Sequence, residues 1–182
     1  GLDKLDWSEH IKTIQRNWIG KSEGHDVIFK LKEEVKGVKQ ISVYTTRLDT
    51  LSGVTFMAIS KDHPLAVDYV DQTKSWSTNE QDLKEKIGIK LDNVHVVHPD
   101  SGEEVPVYVT NYVLSSYGTG AVMGVPDMDD RDFDFATKYK IEIKKVVFEE
   151  AKSVAKRIGA TATSRYKMRD AVFARQRYWG EP

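Results

Sequence analysis

Apolar positions three and four apart over residues 7–18 (Trp7, Ile11, Ile14, Trp18) predict a short amphipathic helix that ends near Gly20. The pattern then changes to one suited to strands: Val27 to Leu31, Ile41 to Tyr44 and Val54 to Ile59. From Val67 to Ile87 the spacing of Val67, Val70, Leu83 and Ile87 returns to a helical period in a polar background. Val94 to Val97 and Val105 to Val109 flank the turn Pro99-Asp100-Ser101-Gly102, which predicts a hairpin with a long loop. Residues 129–139 and 148–158 read as two more helices, carried by Phe133, Phe135, Ala136 and Tyr139, and by Phe148, Ala151, Val154, Ala155 and Ile158.

Strands and helices are interspersed without regular alternation, and no internal repeat is present. This predicts an α+β fold with a largely antiparallel, barrel-like sheet and short surrounding helices, rather than a doubly wound sheet. The 182 residues are 40% hydrophobic and 30% charged, enough apolar material for a core and too much for wholesale disorder. Cysteine is absent, which excludes disulfides, thiolate zinc sites and thiol nucleophiles, and fits a reducing compartment such as the cytoplasm or an organellar matrix. No apolar run approaches the roughly 18 residues of a membrane span, so no membrane partner is expected. The net charge of -1 conceals an asymmetry, because residues 151–182 hold eight Lys and Arg against Asp170 and Glu181. Such a basic end suits a polyanionic partner, and equally a solvated helix.

Two segments carry candidate chemistry. In Thr45-Thr46-Arg47-Leu48-Asp49-Thr50-Leu51-Ser52-Gly53 a strand runs into hydroxyls, one cation and one carboxylate. This is suited to holding a small polar ligand, or is simply a strand exit in which Arg47 pairs with a turn-capping Asp49. In the second, Gly118, Gly120 and Gly124 bracket an apolar run 121–125, and Asp127, Asp129, Asp130 and Asp132 then open a helix. The glycine spacing is not a dinucleotide fingerprint, and the carboxylate spacing is not a calcium loop. A helix cap is the simpler role for the acidic cluster. The histidines (10, 25, 63, 95, 98) show no metal-ligand spacing; His63 and His98 each precede a proline and suit turns.

In order and spacing these segments resemble the editing insertion of leucyl-tRNA synthetases. The residues that carry the likeness are Thr45-Thr46-Arg47, Asp49-Thr50-Leu51, Gly53, Asn111-Tyr112-Val113-Leu114, Tyr117 to Met123, Val125-Pro126 and Asp129 with Arg131-Asp132-Phe133. Trp18 to Gly24 and Arg175 to Gly180 resemble the segments that leave and rejoin a class I catalytic core. The resemblance spans about residues 7–182 and implies a single editing domain, with 7–26 and 164–182 as its connections.

The implied chemistry is hydrolysis of the ester between a noncognate amino acid (isoleucine, methionine or norvaline) and the terminal adenosine of tRNA for leucine. By the same resemblance Asp132 would bind the α-ammonium, and Arg131 with Tyr117 the terminal nucleotide. Thr45, Thr46 and Arg47 would line the ester and its water, Thr50 would exclude leucine, Met123 and Val125 would form the apolar wall, and Asp49 and Asp129 would support them. No cofactor or metal is implied for this reaction, ATP and magnesium belonging to a synthetic core. The implied partners are the 3′ end of tRNA and the remainder of a synthetase chain, the segment itself being monomeric. Rival readings are a tRNA-binding module without hydrolysis and a carboxylate metal hydrolase built on Asp127, Asp129, Asp130 and Asp132.

The sequence departs from the family pattern in four places. Leu48 replaces a usual proline and Ser52 an aromatic residue; Asp127 and Met128 stand where a small residue and histidine are common; and the chain is shortened between Val147 and Phe148. Asp127 is expected to add negative charge beside the site.

Overall fold

The computed structural model describes residues 4–76, 85–114 and 119–166. The chain divides into two compact units, Gly24–Thr163 and a smaller one made of residues 1–23 with 164–182. In the smaller unit, α1 (Glu9–Ile19) starts where the Ser8 side chain accepts from the Ile11 amide and stops at Gly20 in the left-handed region, φ 60°. Both ends follow ordinary capping chemistry.

The strands are β1 (Lys21–Val35), β2 (Val38–Thr45), β3 (Phe56–Ile59), β4 (Gly88–Val97), β5 (Glu104–Thr110), β6 (Ala121–Gly124) and β7 (Thr161–Tyr166). Their order is β2-β1-β4-β5-β3-β6, with β7 pairing β1 off this path. Along this path pairing is antiparallel except between β3 and β5, where Met57, Ala58 and Ile59 run parallel to Val107, Tyr108 and Val109. The fold is therefore α+β and largely antiparallel, as the sequence pattern predicts, but the expected barrel does not close. The end strands β2 and β6 lie against each other without forming a ladder among the described residues.

Strand β3 explains the layering. Its four residues are all fully buried, with Met57 and Ile59 in one apolar cluster and Phe56 and Ala58 in another. Alternate side chains point to opposite faces, so a strand covered on both sides reads as an unbroken apolar run. One face packs on Val27, Phe29, Ile41, Val43, Val96, Val107 and their neighbours. The other is covered by α3 (Asp130–Tyr139), whose Phe135 ring meets Phe56 at 5.2 Å, Tyr108 at 5.4 Å, Tyr112 at 5.6 Å and Tyr139 at 4.4 Å.

The predicted hairpin is β4–β5 and the last two predicted helices are α3 and α4 (Ala151–Ile158). The helical reading of 67–87 holds only over its first part among the described residues. A 3-10 turn spans Pro64–Tyr69, α2 is confined to Val70–Thr73, residues 77–84 lie outside the described part, and β4 begins at Gly88. Leu65 and Ala66 supply the buried contacts there, whereas Val67 and Val70 are exposed, so the helical period did not mark a core-facing stripe.

Candidate active site

Two segments far apart in sequence form the candidate site. The first is the end of β2 and the 3-10 turn Leu48–Gly53. Thr45 is buried and its Oγ1 accepts from the Arg47 amide at 3.0 Å, which turns the chain out of the strand. Thr46 is exposed at the bend. The Arg47 guanidinium makes a two-pronged contact with Asp49, Nε to Oδ1 at 3.0 Å and Nη2 to Oδ2 at 3.1 Å, which holds its positive charge still more firmly. Thr50 is 2% exposed; its Oγ1 donates to the Arg47 carbonyl at 2.8 Å, and its amide donates to the same oxygen at 3.1 Å. With the hydroxyl committed, χ1 of this β-branched side chain is set and the position of its methyl with it. Leu48, which replaces the family's usual proline, is fully buried in the core.

His98 pins this turn from below. Its Nδ1 accepts from the amides of Asp100 (3.3 Å) and Ser101 (3.1 Å), which leaves Nε2 as the donor to the Leu51 carbonyl at 2.9 Å. The ring is 4% exposed. Its place before Pro99 marks it as a turn residue; its hold on a residue 47 positions away has no local sequence signal.

The second segment is β6, the loop after it and the start of α3. Asp129 is the N-cap of α3, its Oδ1 accepting from the amides of Arg131 (2.9 Å) and Asp132 (3.1 Å). The simple capping role therefore holds for Asp129, but not for Asp132. Asp132 is 4% exposed; its Oδ2 accepts from the Val125 amide at 3.0 Å, while Oδ1 is buried with no hydrogen-bond partner. Burial pushes this carboxyl up to about 6; the charge of Asp129 adds to the rise, and the Val125 amide and Arg131 oppose it. A carboxylate held in place by one oxygen and unpaired at the other is suited to a cationic ligand, which would offset its desolvation. Val125 is buried and Met123 half-buried against the core; Tyr117 lies outside the described residues.

Tyr112, part of a sequence motif but given no role there, belongs to this group. The Arg131 guanidinium carbon sits 5.2 Å from its ring centroid, and its hydroxyl is buried without a partner. Burial, and next the charge of Asp132, push its phenol well above its ordinary value. Its place in the motif 111–114 was the available signal.

The two segments abut. The Thr55 amide donates to the Gly124 carbonyl at 3.1 Å, and Phe56 pairs with Gly124 in the β3–β6 ladder. A Cβ on Gly53 would lie 3.1 Å from Val125 Cγ1, and one on Gly124 would collide with the Phe56 ring, so both contacts depend on glycine. The acidic cluster does not converge: Asp127 turns to the Val146 amide (2.9 Å) and Lys145 (3.4 Å), Asp129 to its own helix and Asp132 inward. Among the described residues no three acidic or histidine side chains are grouped to hold a metal ion. Nor is any described helix long and apolar enough to cross a membrane. A cleft of about 430 Å³ lies between Val54, Thr55, Tyr108, Tyr139, Ile141 and Lys144, and none of the candidate residues lines it.

Comparison with known proteins gives the geometry a family. Residues 16–175 match the family described as "Leucyl-tRNA synthetase, editing domain". The leucine–tRNA ligase of Vibrio campbellii is 40% identical over 231 residues, which include all of this chain and 27% of that protein. That of Alkaliphilus oremlandii is 36% identical over all of this chain and 28% of its own length. The chain thus spans about a quarter of these relatives. A leucyl-tRNA synthetase of Agrobacterium radiobacter K84, solved in a ternary complex with tRNA and LeuAMS, superposes with a TM-score of 0.74 at 32% identity, over 92% of this chain and 23% of that one. A likeness that covers both candidate segments and extends over nearly every described element is that of common descent, and the chain belongs to the leucyl-tRNA synthetase editing-domain family.

Proposed function

We propose that this chain hydrolyses the ester linking a noncognate amino acid to the terminal adenosine of tRNA for leucine. The observation that carries the reading is Asp132, a buried carboxylate with one oxygen anchored on Val125 and the other unpaired, at a position matching the family motif. In this reading the substrate's α-ammonium pairs with Oδ1 of Asp132, and Arg131 with Tyr117 meets the terminal nucleotide.

An aminoacyl ester is already labile, so the site's task is to orient a water, hold the ammonium and stabilise the developing oxyanion. Thr45, Thr46 and Arg47 line the ester, with Asp49 keeping the Arg47 guanidinium in place. Water adds to the ester carbonyl, the tetrahedral intermediate collapses, and the ribose oxygen leaves with a proton. None of the assigned side chains is an obvious general base, and the neighbouring ribose hydroxyl of the substrate is the group best placed to help. Met123 and Val125 form the apolar wall, and the Thr50 methyl rejects the branched end of leucine. Such a second sieve is needed because one methylene is worth only about 1–3 kcal/mol in a single binding step.

The test is deacylation of isoleucyl-tRNA for leucine by this chain. Release of isoleucine that is lost in Asp132→Ala supports the proposal. Binding of tRNA without hydrolysis would favour a non-catalytic module, and loss of activity with chelator would favour a metal hydrolase.

A further inference from the structure

Ser52, Asp127 and the stretch at Val147 and Phe148, where the sequence reading expects departures from the family pattern, meet at one place in the fold. Residues 141–150 form an irregular segment between α3 and α4, and its middle is tied down at nearly every step. Lys144 pairs with Glu103 at 2.7 Å. The Val146 amide donates to Asp127 Oδ2 at 2.9 Å, and Lys145 reaches the other oxygen at 3.4 Å. Val147 meets Ser52 twice, its amide donating to Oγ at 2.9 Å and its carbonyl accepting from Oγ at 3.0 Å. Glu149 donates its amide to the Asp49 carbonyl at 3.4 Å, and its carboxylate is gripped by Arg157 of α4, which also holds Asp100. These anchors work through backbone groups and ion pairs; the Val147 and Phe148 side chains remain exposed, and Val146 is the one apolar side chain at the centre that packs against the core.

The two anchors that matter sit on opposite halves of the candidate site. Ser52 belongs to the turn that carries Thr50, and Asp127 follows Val125 on the segment that leads to Asp132. Their partners, Val147 and Val146, are adjacent residues, about 3.8 Å apart along a rigid peptide. A Cβ on Gly53 would collide with Val146 Cγ2 and press on Val125, so all three pack at the same seam. The match to the Vibrio relative runs over 231 residues against 182 here, so about 49 aligned positions have no counterpart in this chain. A polar pair, Ser52 and Asp127, fastens residues 146 and 147 directly across the seam.

We propose that Ser52 and Asp127 are positioning residues, clamping 145–147 across the seam and thereby setting the spacing between the Thr50 turn and the Val125–Asp132 wall on which amino-acid selection depends. This rests on the editing function proposed above. Freed from either anchor, the turn shifts relative to the apolar wall and the methyl of Thr50 no longer meets the leucine side chain in one place. Selectivity suffers more than hydrolysis, because Asp132 keeps its own bond to Val125. Asp127 thus acts as a tether whose charge is engaged by Val146 and Lys145. Its carboxyl sits below the ordinary value, first because of the Val146 amide and then because of Lys145.

The test compares Ser52→Ala and Asp127→Ala with the conservative Ser52→Thr and Asp127→Asn, which keep an acceptor for Val147 and Val146. Three readouts are used: the ratio of kcat/KM for isoleucyl- over leucyl-tRNA, calorimetric affinities for non-hydrolysable isoleucyl- and leucyl-adenosine analogues, and amide exchange at Val146 and Val147. The alanine variants should lose about tenfold in the isoleucyl-over-leucyl ratio in the first two readouts, with isoleucyl hydrolysis within about threefold of wild type, and the conservative variants should recover most of the ratio. Amide exchange at Val146 and Val147 should accelerate only in the alanine variants. Unchanged ratios despite faster exchange would overturn the clamp and leave the editing function standing. A wild-type chain that binds neither analogue and hydrolyses neither ester would overturn both.

Discussion

The two halves of the site differ in how far their polar groups are satisfied. The Thr45–Gly53 turn buries Leu48 and Leu51 in the main core and pairs its polar groups close by: Thr45 to Arg47, Arg47 to Asp49, Thr50 back to the Arg47 carbonyl. The start of α3 rests on a dense aromatic cluster around Phe135; its Asp132 has one carboxylate oxygen with no partner, and Tyr112, packed beside it from the end of β5, has a phenol with none. The first half is satisfied and defines a shape; the second is unsatisfied and carries the recognition charge. Buried unpaired polar groups are costly, and a packed core is what allows the α3 half to sustain them.

The comparison is broken most severely by removing that packing. Phe135→Ala should lower stability by about 3–5 kcal/mol, because it empties a fully buried site contacted by four aromatic rings. Denaturant unfolding checks this, and a loss under 1 kcal/mol would show that α3 is not held by this cluster.

Next is Asp132, where function and stability should move in opposite directions. A carboxyl whose value rises on folding stabilises the protein while protonated. That contribution is complete below the unfolded value of 3.8 and is lost as pH rises through about 6. Pairing with an ammonium needs the ionised form, so deacylation should decline as pH falls through about 6. Asp132→Asn keeps an acceptor for Val125 and removes the desolvated charge. It should raise the melting temperature at pH 7.5, with a ceiling of about 3 kcal/mol from a shift of roughly two units. It should also lower deacylation kcat/KM by the equivalent of about 1.5–3 kcal/mol. A variant both less stable and fully active would remove Asp132 from the recognition role.

Thr50 tests shape rather than charge. Thr50→Ala should admit leucine, raising leucyl-tRNA hydrolysis by the equivalent of about 1–3 kcal/mol, and Thr50→Tyr should block every substrate. A purely structural Thr50 would instead lower all rates together with the melting temperature. Deacylation of cognate and noncognate tRNA alongside thermal scans distinguishes the cases.

The smallest effect belongs to the Arg47–Asp49 pair. Arg47 is more than half exposed, so the pair is screened, and Arg47→Ala should change stability by less than about 1 kcal/mol. Any larger effect of this variant should therefore be on deacylation, a difference that steady-state kinetics and unfolding curves measured on one preparation would reveal.

Much of the architecture was legible from local pattern. The β4–β5 hairpin follows from two apolar runs around Pro99 to Gly102, and α3 from Phe135 and Ala136 following an acidic cap. The strand β7 was missed because Thr161 to Tyr166 is polar and mostly exposed, with no apolar alternation to announce it. Both candidate segments were visible as motifs, though Tyr117 and the basic run 167–182 lie outside the described residues. Pattern alone gave the acidic cluster a capping role without naming Asp129 as the residue that fills it. It did not separate Asp132 from its acidic neighbours, since burial depends on which face of α3 meets β3.

What the sequence determined by itself is the chemistry available and the family order in which it is arranged: hydroxyls and Arg47 at a strand end, carboxylates at a helix start, no thiols. Tertiary structure alone decided which of those groups are already satisfied. Ser52 and Val147 are 95 residues apart and His98 and Leu51 are 47 apart, so neither contact leaves a trace in local spacing. Ser52 and Asp127 stood out only as departures from a pattern. Their partners are backbone groups of an irregular segment, and a backbone amide is the same whatever side chain it bears, so no residue code could announce the pairing.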